Sequence, residues 1–94
     1  MAGEAEQLGE FIDKHLASTA RASLVDVIAH FDHQNHSLPS TWRLNKALAE
    51  LAAPVALSAD GLYLEKSNQT NVVQLSDSEM SRIIEAYTKA IRAH

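Results

Sequence analysis

Apolar residues recur along most of the chain at intervals of three and four. Leu8, Phe11, Ile12 and Leu16 form one such stripe within residues 4–17, and Leu24, Val27, Ile28 and Phe31 another within 24–34. Leu44, Ala47, Leu48 and Leu51 repeat it within 41–52, and Met80, Ile83, Ile84, Tyr87 and Ile91 within 77–92. This spacing places each set on one face of a helix, so four amphipathic helices are predicted. The boundaries carry matching signals. Ser23, with Asp26 three residues on, is a plausible N-cap, as is Ser40, with Ser37 and Pro39 offering a competing start. Ser76 with Glu79 makes a capping box, and Lys89 and Arg92 suit the last turn of the helix that follows. Ser18-Thr19 offers a break, residues 35–39 read as a loop, and Pro54 marks the end of the third helix.

Between the third and fourth stripes the period changes. Val55-Ala56-Leu57 and Leu62-Tyr63-Leu64 flank Ser58-Ala59-Asp60-Gly61, and an Asp-Gly pair between apolar runs signals a hairpin with Gly61 at positive φ. A polar stretch from Ser67 to Asn71 precedes Val72-Val73-Gln74-Leu75, which reads as a further short strand. The predicted class is α+β, mainly α, as one domain over residues 1–94. The order of three helices, a small β-meander or hairpin and a C-terminal helix resembles that of a winged helix-turn-helix domain. Ile84 is expected in the core. The terminal helices, outside the helix-turn-helix, are the expected arms of a homodimer.

Composition narrows the class without naming a function. With 94 residues, 46% of them apolar and 21% charged, the chain is an ordinary globular domain. It has no cysteine, which excludes disulfides and Cys-based zinc or redox sites. The acidic first ten residues are followed by no apolar leader segment, and no apolar run is long enough to span a membrane, so a cytoplasmic location is expected. The net charge of −4 is unevenly spread. Residues 1–32 carry six acidic and two basic side chains, while residues 33–94 carry six of each. A general attraction to phosphate is therefore not expected, although a local patch can still meet a nucleic-acid backbone.

The third helix is the main candidate for such a patch. With Leu44, Leu48 and Leu51 inward, it turns Thr41, Trp42, Arg43, Asn45 and Lys46 outward. Arg and Lys donate to guanine or phosphate, Asn pairs with adenine, and Thr contacts phosphate. Lys66, in or beside the wing, adds a backbone contact. The plainer reading is a solvated face with Trp42 folded over the core. Asp26, His30 and His33 share a helix face, with His36 nearby, but ligands from one short stretch rarely enclose a metal, and neither a metal site nor a cofactor is expected. The absence of a nucleophilic Cys, a phosphate-cradling Gly loop or a G-x-S-x-G elbow argues against an enzyme. Two functions fit: a winged-helix-type domain that binds duplex DNA and regulates transcription, or an interaction module that meets a protein partner through its acidic first helix. Convergence of Arg43, Lys46 and Lys66 on one face without acids between them would favour the first, and intrusion of Glu50 and Glu65 on that face the second.

Overall fold

The computed structural model describes residues 4–51, 54–67 and 73–92, with the side chains of the first helix from Leu8 onward. The elements run α1 (Glu4–Ser18), β1 (Arg21–Ser23), α2 (Leu24–Asn35), α3 (Thr41–Ala49), β2 (Val55–Leu57), β3 (Tyr63–Lys66) and α4 (Asp77–Arg92). This is an α+β chain of four helices and a small sheet, in the expected winged-helix-like order of three helices, a hairpin and a C-terminal helix, with β1 inserted after α1. The strands form an antiparallel sheet in the order β1-β3-β2, with Ala22 opposite Leu64 and Leu57 opposite Leu64 from the other side.

The helices begin where their caps require. The Ser23 hydroxyl accepts the Asp26 N–H, and the Ser40 hydroxyl accepts the Arg43 N–H at 3.1 Å. At α4 the exchange is reciprocal: Glu79 N–H donates to the Ser76 hydroxyl at 3.1 Å, and Ser76 N–H donates to the Glu79 carboxylate at 2.9 Å. Each pair satisfies donors that a helix leaves without intrahelical partners. At the end of α2, His36 adopts a left-handed conformation with φ 56° and donates its N–H to the Asp32 carbonyl, which turns the chain toward α3.

One core joins all the elements. Leu8, Ile12 and Leu16 from α1 meet Leu24, Val27, Ile28 and Phe31 from α2 and Leu44, Ala47 and Leu48 from α3. Ala22, Val55 and Leu64 add the inner face of the sheet, and Leu75, Met80 and Ile83 close the core from the α4 side. Burying a side chain of this size stabilises by about 1.5–3 kcal/mol each, so the stripes supply most of the driving force.

Several expectations need correcting. The third strand of the sheet is β1, not the 72–75 segment: residues 73–75 form no strand, and Val72 and the Asn68–Asn71 part of the polar stretch lie outside the described residues. Three residues are too few to show a period, and Arg21–Ser23 is extended because β3 supplies its partners. The helix α3 stops at Ala49, three residues short of the expected end, with Glu50 leaving the helical conformation at φ −102° and ψ 7°. Ile84 is half-buried, and Ile83 takes the core position. Adjacent helix positions point about 100° apart, so Ile83 and Ile84 cannot both face the core centre, and Ile84 packs at its edge. The helix α1 is no arm, because its apolar face is buried in the core against α3.

Candidate nucleic-acid interface

The helix α3 carries two bases and no carboxylate from Thr41 to Ala49, and its first turn contains no acidic residue. The other fully described helix starts differ, with Asp26 in the first turn of α2 and Asp77 and Glu79 in that of α4. The partial positive charge of the α3 N-terminus is therefore not cancelled by its own side chains. Trp42 stands out from this helix, 68% exposed, rather than folding over the core. The Lys46 ammonium lies 5.3 Å from the centroid of its ring, within cation–π range, and is itself exposed. Thr41 and Arg43 are half-buried on the same turn.

Two expected site residues are placed elsewhere. The Asn45 side-chain amide donates to the Leu75 carbonyl at 2.9 Å, and its oxygen accepts the Leu75 N–H at 2.7 Å. Both polar ends thus hold the segment before α4, and the amide is not presented to a base edge. These partners are thirty residues apart, so nothing local in the sequence marks the pair. Lys66 is exposed at the end of β3, opposite Val55. That is the open end of the hairpin, not its tip, so Lys66 does not belong to a wing.

The tip itself is acidic. Gly61 has φ 75° and donates to the Ser58 carbonyl, as the Asp-Gly signal requires. The Asp60 carboxylate accepts from the Ser58 hydroxyl and from the Leu62 N–H, and these bonds hold its pKa below the ordinary carboxylate value. No base lies in the loop from Ser58 to Leu62. On the outer face of the sheet, the Arg21 guanidinium stacks 3.9 Å from the Tyr63 ring centroid and pairs with Glu65 at 3.6 Å. Glu65 thus has its ion-pair partner on the sheet. Glu50, exposed immediately beyond α3, does flank it.

The histidines follow another logic. The His30 ring stacks on Phe11 across α1 and α2, with centroids 4.1 Å apart and planes 11° from parallel, and His15 leans on the same ring at 4.5 Å. Among the described residues no three His, Asp or Glu side chains converge as metal ligands. Phe11, the first-stripe residue furthest from its centre, is half-buried rather than core. Also among the described residues, no helix is long and apolar enough to cross a membrane. Comparison with protein-family models, with curated proteins and with solved structures gives no match. The functional reading therefore rests on the site alone.

Proposed function

We propose that this protein is a winged-helix-type regulatory module that binds duplex DNA through α3, using Thr41, Trp42, Arg43 and Lys46. The observation that supports the reading is the electrostatic character of α3: a capped helix with two bases and no acid, on a molecule of net charge −4. In that architecture the N-terminal turns of the second helix meet the bases. The net charge slows encounter, but salt at physiological strength screens acids more than about 8 Å away. Glu4, Glu6 and Glu10 belong to α1, which packs on the inner side of α3.

The test is anisotropy of labelled duplex DNA across a salt series, with emission from the sole tryptophan as a second signal. With two bases at the interface, log affinity should fall with log salt at a slope of about −2 per subunit. Arg43→Ala with Lys46→Ala should abolish binding, and Lys46→Ala alone, at an exposed position, should weaken it with an unchanged thermal melt. If the parent binds no duplex even at low salt, or the double variant binds as well, the DNA reading fails. A protein partner on the same face then takes its place. The exposed Trp42 and the acidic hairpin tip favour that second reading, since aromatic anchors dominate protein interfaces.

A further inference from the structure

The helices α1 and α2 leave an open groove of about 710 Å³ between them, which the proposed DNA contact does not use. Its floor is the Phe11 ring with His30 stacked on it, and its rims carry Glu10 and Asp13 on α1 and Gln34 on α2. Lys14 is the one base that lines it. The flank of α1 that faces α3 is a different one: a Cβ on Gly9 would stand 3.8 Å from the Ala47 carbonyl oxygen.

A complementary feature lies beyond α2. That helix turns His30 to the groove and Asp32 to α4, where the Tyr87 hydroxyl donates to the Asp32 carboxylate at 2.6 Å. The helix α4 then ends in Lys89, Ala90, Ile91 and Arg92, all exposed. Ile91, at 52%, is one of three large apolar side chains exposed among the described residues, and bases stand on both sides of it. Because α2 separates the two features, this knob does not reach the groove of its own chain.

We propose that the groove between α1 and α2 receives the end of α4 from a second copy of this chain, with Ile91 on the Phe11–His30 floor and Arg92 facing Glu10. Charge selects this occupant. Lys89 already pairs with Glu85 at 3.2 Å, which leaves Arg92 as the base that Glu10 attracts. Made reciprocally about a two-fold axis, the contact occurs twice and closes a dimer. Each copy has a net charge of −4, so the local attraction works against a general repulsion and the association is weak. This dimer does not depend on the DNA reading, and either can fail alone.

Sedimentation velocity of the full chain, from micromolar to near-millimolar concentration, is the test. The parent should dimerise reversibly. Glu10→Lys and Arg92→Glu, both at exposed positions, should each weaken dimerisation by about tenfold or more through like-charge contact. An equimolar mixture of the two variants should recover a heterodimer, because each groove then meets a knob of opposite charge. Ile91→Asp should weaken association as well, and thermal melts of all variants should match the parent. A parent that stays monomeric throughout, substitutions without effect on association, or a mixture that fails to recover would each overturn the proposal.

Discussion

Replacing Asn45 by alanine removes both hydrogen bonds to the Leu75 backbone and leaves that half-buried N–H and C=O without partners. The expected cost is about 1–3 kcal/mol, because a desolvated polar group loses more than the bond was worth. A denaturant titration should show a lower midpoint at unchanged slope. Asn45→Asp keeps an acceptor for the Leu75 N–H but loses the donor to its carbonyl, so it should fall between. Tyr87 carries a second test at this scale. Its hydroxyl donates to Asp32, and this bond first, then burial, raises its pKa above the ordinary value of 10.0. A group whose pKa is raised by folding contributes stability that is complete below its unfolded pKa and lost as pH rises through the folded one. Stability should therefore decline above about pH 10, and Tyr87→Phe should remove that part of the decline. Ultraviolet titration of the phenolate with parallel melts checks both.

At the scale of single elements, α4 owes its start to the Ser76–Glu79 box. Hydrogen bonds from the Ser76 backbone and then its hydroxyl hold the Glu79 pKa below its ordinary value of 4.5. The sign is opposite to that of Tyr87: this stability is present above the unfolded pKa and lost as pH falls through the lowered folded one. Protonation of Glu79 as pH falls through its lowered folded pKa should fray the first turn of α4, visible as faster amide exchange at Glu79 and Met80. Ser76→Ala should cost about 0.5–2 kcal/mol at neutral pH and reduce that acid response only in part, because the residue 76 N–H still donates to the Glu79 carboxylate. The start of α4 was legible because a capping box is a contact within four residues. The strand β1 was not, since nothing within Arg21–Ser23 distinguishes a strand from a turn until β3 lies beside it.

For the molecule as a whole, α1 is the element whose role decides the architecture. Ile12 is fully buried, so Ile12→Ala should lower the single cooperative melting transition by the cost of a core cavity, about 2–5 kcal/mol. A detachable arm would leave the transition unmoved. Periodicity and capping were enough to place the starts of four helices and their ends to within three residues, and the Asp60-Gly61 pair was enough to place the hairpin. These features depend on neighbours within a few positions, where stripe, cap and turn chemistry act. Which face meets what was settled by packing. Asn45 faces a carbonyl thirty residues away, Lys66 falls at the open end of the hairpin because of strand register, and Ile83 is fully buried while Ile84 packs at the edge of the core. Such pairings join segments that are distant along the chain, and the local pattern carries no record of them until the core has closed.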